Sequence, residues 1–268
     1  MKIKTFCFLV LSFLFQLAPA GAVTNVYLED MTWTELRDLV AAGHKTVIIP
    51  VGGTEQSGPH IALGKHNARV KVIAGMVAMR LGDAIVAPVI AYVPEGAIDP
   101  PTEHMKFPGT ITVSDATFEQ LLESAAASLK HAGFTRIVLI GDHGGYQSDL
   151  SVVADKLNGK WKGAGARVLA DRDYYHLSQE PYAAALEAQG IGKDEMGTHA
   201  GLADSSLQLA TVPEMVRPDK MKDAHQTTLA QGVYGPSPAR STAALGQLGI
   251  DLIVSGTVTA IQKFESSN

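Results

Sequence analysis

The chain has 268 residues, 46% of them hydrophobic and 18% charged, which is enough apolar material for one sizeable core and too hydrophobic a balance for a disordered chain. Lys and Arg total 22 against 27 Asp and Glu, a formal net charge of -5, and no basic run interrupts the sequence. A nucleic-acid partner is therefore not expected.

At the start, Lys2 and Lys4 precede an apolar run from Phe6 to Phe15, followed by the small residues Ala18, Ala20 and Ala22. This layout predicts a cleavable secretory leader over residues 1–22, cut after Ala20 or Ala22. The run is too short to span a bilayer, and no later stretch is read as a membrane span. Cys7 is the only cysteine and leaves with the leader. The remaining domain, 23–268, then has no disulfide framework and no thiolate for catalysis or metal binding. A periplasmic or secreted protein is expected, with no membrane attachment after cleavage.

Beyond the leader, β-type apolar runs alternate with helical patterns, with no internal repeat or linker-like tract, which predicts an α/β fold as a single domain. Thr32 with Glu35 has capping-box spacing, and Gly43 stands where that helix would stop. Thr46 to Val51 reads as a buried strand, 67–81 as a helix closed by Gly82, and 84–93 as a second strand. A Pro-rich loop covers 94–108. Ser114 caps a helix to His131, with Gly133 as its stop, and Arg136 to Ile140 is the next buried strand. Helices are expected near 147–158, 178–189 and 238–264, and a short strand at 167–170.

Two strands have polar, glycine-containing exits: VIIPVGGTEQSGPH and IVLIGDHGGYQ. In open α/β sheets ligands gather at the carboxyl ends of the strands, so Glu55 and His143 converge if both strands belong to one parallel sheet. A third cluster, GTHAGLADSS, offers His199 and Asp204, with Thr198 or Asp204 as the alternative helix cap. A fourth, GKHN, places His66 just before a predicted helix. His44, His131, His176 and His225 have no supporting context and are read as surface residues.

These motifs resemble the creatininase (creatinine amidohydrolase) family. The resemblance is carried by GGTEQSGPHIALGKHN at 52–67, HMKFPGTITV at 104–113, GDHGGYQ at 141–147 and THAGLADSS at 198–206, with a final VYGPSPARST at 233–242. It implies a three-layer α/β/α sandwich with a mostly parallel central sheet, often assembled into homo-oligomers, commonly hexamers. The family's first motif reads Thr-Glu-x-His-Gly-Pro-His and then Thr-Asp, with the Glu, first His and Asp on metal. Here Glu55 matches the Glu, Ser57 stands at the His position and His66 at the Asp position. His143 matches the third motif's metal-binding His, although Asp142 and Tyr146 depart from its pattern. In the fourth motif His199 matches an acid/base His, and Asp204 is a shorter replacement for a metal-binding Glu.

What the resemblance implies for this chain is a divalent-metal shell of Glu55, His66, His143 and Asp204. A neutral imidazole offers one lone pair and cannot bridge two ions as a carboxylate can, so one metal is expected where the family often holds a pair. Zinc is the first expectation, with manganese or iron tolerated. The metal would activate a water for hydrolysis of a small-molecule amide or cyclic amide, and His199 would shuttle the proton to the leaving nitrogen. The alternatives are a deformylase- or peptidase-type hydrolase on the same scaffold, or a non-catalytic periplasmic binding protein with a degenerate site. His60 and His104 lie inside the motifs and are open between structural and functional roles, and Asp142 is a candidate hydrogen-bond partner beside the metal ligands.

Overall fold

A computed structural model describes residues 25–223 and 229–267; the expected leader and His225 lie outside them. Four strands, β1 (Thr46–Val51), β2 (Ala84–Val86), β3 (Arg136–Gly141) and β4 (Arg167–Asp171), form one parallel sheet in the order β2-β1-β3-β4. Every residue of β1 is buried, because both faces of the sheet are covered. Val47, Ile49 and Val51 enter one apolar cluster and Ile48 the other. β3 repeats the alternation, with Ile137 and Leu139 on the first face and Val138 and Ile140 on the second. A parallel sheet covered on both sides needs continuous apolar runs, and this is why these two strands stand out in the sequence.

The helices complete a three-layer sandwich. The first face carries α1 (Trp33–Ala42), α3 (Asp115–His131) and α4 (Gln147–Lys160). The second carries α2 (Lys65–Leu81), α5 (Arg172–Leu177), α6 (Glu180–Glu187), α7 (Lys193–Met196), α8 (Leu202–Thr211) and α10 (Ala243–Ser266); a short α9 (Pro218–Asp223) precedes α10. Helix ends follow their caps: Thr32 and Glu35 form the reciprocal capping box, and Gly43 closes α1 with φ 113°. Ser114 accepts from the Thr117 N–H to start α3. Loss of either cap would cost about 1 kcal/mol.

Helix α10 is 24 residues long, and its apolar window, of mean hydropathy 1.5, is long enough to cross a membrane by length and composition. In the fold, one face of it packs into the second core through Ile250, Ile253, Val254 and Ile261. Gly246 permits that packing, since a Cβ there would lie 1.9 Å from the Ser206 carbonyl oxygen on α8.

Two expectations shift. The strand expected over 84–93 ends at Val86, and isolated bridges at Ile90 and Val93 continue its path. Pro88 and Pro94 lack the N–H that a longer ladder requires. His44, expected at the surface, is buried, whereas His131 and His176 are exposed.

Candidate metal centre and its cleft

The sheet brings two chain exits to one edge. After β1 the chain passes through Gly52 and Gly53 to Glu55, and after β3 it reaches Asp142 and His143 at once. The Asp142 N–H donates to the Val51 carbonyl over 3.1 Å, which locks the exits side by side. Position 53 needs glycine twice over: its φ is 151°, and a Cβ would lie 2.6 Å from Glu95 Oε1.

Glu55, Glu95, His104 and His143 each present a ligand atom, and these atoms lie within 4.8 Å of one another. Glu55 Oε2 is 3.1 Å from His104 Nε2 and 3.3 Å from His143 Nε2, and Glu95 Oε2 is 3.6 Å from His143 Nε2. None of these three contacts is a hydrogen bond. Glu55 Oε2 and both Glu95 oxygens have no hydrogen-bond partner among the described residues, although all are buried. Burial, then the adjacent Glu55 charge, pushes the Glu95 carboxyl up to about 9. Buried carboxylate oxygens without donors are costly, and a divalent cation would satisfy all three. Two carboxylates and two imidazoles form a donor set that zinc, manganese or iron accepts.

Beside this cluster the first two turns of α2 carry three basic side chains. The Lys65 ammonium contacts Asp204 Oδ2 and lies 3.4 Å from Glu55 Oε1. Arg69 spans Asp204 Oδ1 at 2.7 Å and Asp142 Oδ2 at 2.8 Å. His66 sits between two carboxylates, with Nε2 2.8 Å from Glu55 Oε1 and Nδ1 2.5 Å from Asp142 Oδ2. Burial and Lys65 oppose a charge on His66, but the flanking Glu55 and Asp142 outweigh them and raise its pKa. Burial alone would raise Glu55 and Asp204; Lys65, with His66 on the first and Arg69 on the second, holds both well below the usual carboxylate range. Basic groups at a helix start oppose the helix dipole, and here the three carboxylates offset that cost.

His199 enters from the segment between α7 and α8, held to Tyr234 by paired backbone hydrogen bonds. Its Nε2 lies 2.9 Å from the Gln56 main-chain carbonyl oxygen, an acceptor, and 3.1 Å from the Gln56 side-chain amide nitrogen, a donor, so this nitrogen has a partner in either tautomer. Its Nδ1 lies 3.7 Å from Glu55 Oε1. Burial, then Lys65, pushes the ring down to about 3, which keeps it neutral near pH 7. A cleft of about 770 Å³ opens over these groups, lined by Lys65, His104, His143, Tyr175, His199 and Tyr234 among others.

Of the residues singled out in the sequence, Glu55 and His143 lie in the four-residue cluster and His199 at its edge. His66 and Asp204 are drawn into the ion pairs of α2, where both His66 ring nitrogens face carboxylates and Asp204 accepts from Lys65, Arg69 and the Ala200 N–H. Asp142 holds His66, Arg69 and the Tyr174 hydroxyl. His60 turns away to Ser205 Oγ at 2.9 Å, and Ser57 is buried with its hydroxyl unpartnered. Sequence reasoning passed over Glu95. The one signal it offered was a carboxylate beside a glycine, Glu95-Gly96, shortly after a strand of the same sheet.

The creatininase family model, described as creatinine amidohydrolase, matches residues 29–261. A mycofactocin precursor peptide peptidase from Mycolicibacterium smegmatis is 28% identical over 82% of this chain and 85% of its own length. A creatinine amidohydrolase from Pseudomonas putida is 26% identical over 89% of this chain and 97% of its own. Among solved structures, a creatinine amidohydrolase superposes with a TM-score of 0.74 at 23% identity, covering 92% of this chain and 100% of that one. Other creatininase structures of this fold are described as a manganese form and a zinc–zinc form. With its fold, its motifs and its carboxylate–imidazole cluster all in agreement, the chain belongs to the creatininase family of metal-dependent hydrolases.

Proposed function

We propose that this chain hydrolyses a non-peptide C–N bond, an amide or cyclic amide of a small molecule, with one divalent ion held by Glu55, Glu95, His143 and His104 and with His199 as acid/base. The observation that carries the reading is the meeting of three unpartnered carboxylate oxygens with two imidazoles, next to a neutral histidine, in one cleft. When bound, the ion supplies Lewis-acid chemistry, polarising a carbonyl and lowering the pKa of water. Zinc is the first choice, with manganese or iron as the alternatives.

The protein's own groups then have defined tasks. His199 takes a proton on its free ring nitrogen and returns it to the leaving nitrogen. Gln56 holds the ring at Nε2 through its main-chain carbonyl and its side-chain amide. His104 and Tyr234 pack against the same ring, at centroid separations of 4.5 Å and 5.0 Å, and hold its plane. The cleft volume falls in the range typical of small-molecule sites, which supports a compact substrate over a long peptide. Residues 1–22 support export to the periplasm or beyond, a reading checked by sequencing the mature N-terminus.

The test combines metal content with a substrate panel. Protein purified without added metal should contain about one ion per subunit, lost in His143→Ala, and should turn over at least one member of a panel of amides and lactams. Absence of any metal, even after zinc, manganese or iron is supplied, would refute the reading. Preferred cleavage of formyl groups or short peptides over the panel would redirect it to another bond on the same scaffold.

A further inference from the structure

We propose that Lys65 is a resident cation that fills the place of a second metal ion and confines this centre to one. This rests on the metal-centre reading above and adds a reason for its stoichiometry.

The Lys65 side chain is 1% exposed, and its ammonium touches carboxylate oxygens from two different elements, Glu55 after β1 and Asp204 on α8. Glu55 is thereby shared: Oε2 faces the four-residue cluster, while Oε1 faces Lys65 and His66. A point placed where the Lys65 nitrogen sits has an oxygen of Glu55 and an oxygen of Asp204 around it. The Glu55 Oε1 that bounds it also accepts from His66 Nε2 at 2.8 Å. Two carboxylates make a cation site by chemistry, and it is occupied by an ammonium on a tether.

The tether sets the consequence. Lys65 and Arg69 stand four residues apart on one face of α2, so both reach Asp204. Three carboxylates, Glu55, Asp142 and Asp204, face three basic side chains, Lys65, His66 and Arg69. A second divalent ion would have to displace the ammonium from both oxygens it contacts and stand beside the Arg69 guanidinium on the same Asp204 carboxylate, which a low-dielectric interior resists. The cluster on the other side of Glu55 differs: Glu55 Oε2 and both Glu95 oxygens have no hydrogen-bond partner among the described residues. One position invites an ion and its neighbour is already filled.

Zinc titration of the chelator-stripped full chain, followed by removal of free metal and elemental analysis per subunit, tests this. Wild type and Lys65→Arg should saturate at one zinc. Lys65→Met, which keeps the stem but removes the charge, should take up two, and Lys65→Met combined with Asp204→Asn should return to one. Circular dichroism establishes that each variant is folded, and Lys65→Gln replaces Lys65→Met should the latter fail to fold. A folded Lys65→Met that still holds one zinc overturns the inference and leaves the metal centre standing. Two zinc in wild type also overturns it. No bound metal in any of the proteins, with zinc, manganese and iron each supplied, overturns the metal reading itself, and this inference with it.

Discussion

Tyr146→Phe removes one oxygen from beneath the metal cluster, and the cost can be worked from its contacts. The Tyr146 ring is fully buried, and its hydroxyl lies 2.6 Å from the Gly52 carbonyl and 2.8 Å from the Val51 carbonyl, and accepts from the His143 N–H over 3.1 Å. Val51 keeps a partner in the variant, because its carbonyl also accepts from the Asp142 N–H. The Gly52 carbonyl and the His143 N–H lose theirs. Each buried polar group left unpaired costs about 1–3 kcal/mol, so the variant should lose about 2–6 kcal/mol, while ring packing against Phe118 is retained. Urea denaturation should show a lower midpoint with an unchanged slope. Since the lost bond also positions the His143 backbone, zinc affinity should fall by about 10–100-fold. A loss of under about 0.5 kcal/mol with unchanged zinc affinity would refute the argument that this hydroxyl ties the two strand exits together.

Three further outcomes are expected. Glu95→Gln keeps the shape of the side chain and removes its charge; metal content should drop sharply by elemental analysis, and retention of a full equivalent would show that Glu95 is not a ligand. His199→Ala should retain its metal while turnover falls by about 10²–10⁴-fold, and full activity in that variant would remove His199 from the chemistry. Asp171 is buried with Oδ2 unpartnered, and burial pushes it up to about 7. The folded state therefore holds the Asp171 proton over a range where the unfolded chain has released it, so this residue makes stability fall as pH rises from about 4 to about 7. Asp171→Asn, which can still accept from the Asp173 N–H, should be more stable than wild type at pH 8, by up to about 4 kcal/mol. That advantage should shrink toward pH 4, and urea midpoints across the range measure it.

The elements most legible in the sequence are those whose physics is local or one-dimensional. The apolar runs of β1 and β3 betray a sheet buried on both faces, and Thr32, Ser114, Gly43 and Gly82 mark helix ends because capping is decided within a few residues. The strand exits could be paired from sequence, which led to Glu55 and His143. What sequence could not supply is the side from which a loop returns. Glu95 sits in a Pro-rich segment without periodicity, and its place in the cluster comes from the path between β2 and α3. Residue type and position alone mark His66 and Asp204 as ligands. Their engagement by Lys65 and Arg69 depends on the face that α2 turns toward α8, a tertiary fact that no spacing in GKHN or THAGLADSS encodes.

The cleft has two kinds of wall. Its floor is built from the strand exits and the first two turns of α2, where Asp142 alone is gripped by His66, Arg69 and Tyr174. Its rim is built largely from residues 175–187 and 193–198, on and between the short helices α5, α6 and α7. Changes along that rim alter what enters the cleft without touching the charges beneath it. A lineage carrying this chain can therefore exchange one substrate for another through a handful of rim substitutions, whereas its chemistry is inherited as a block.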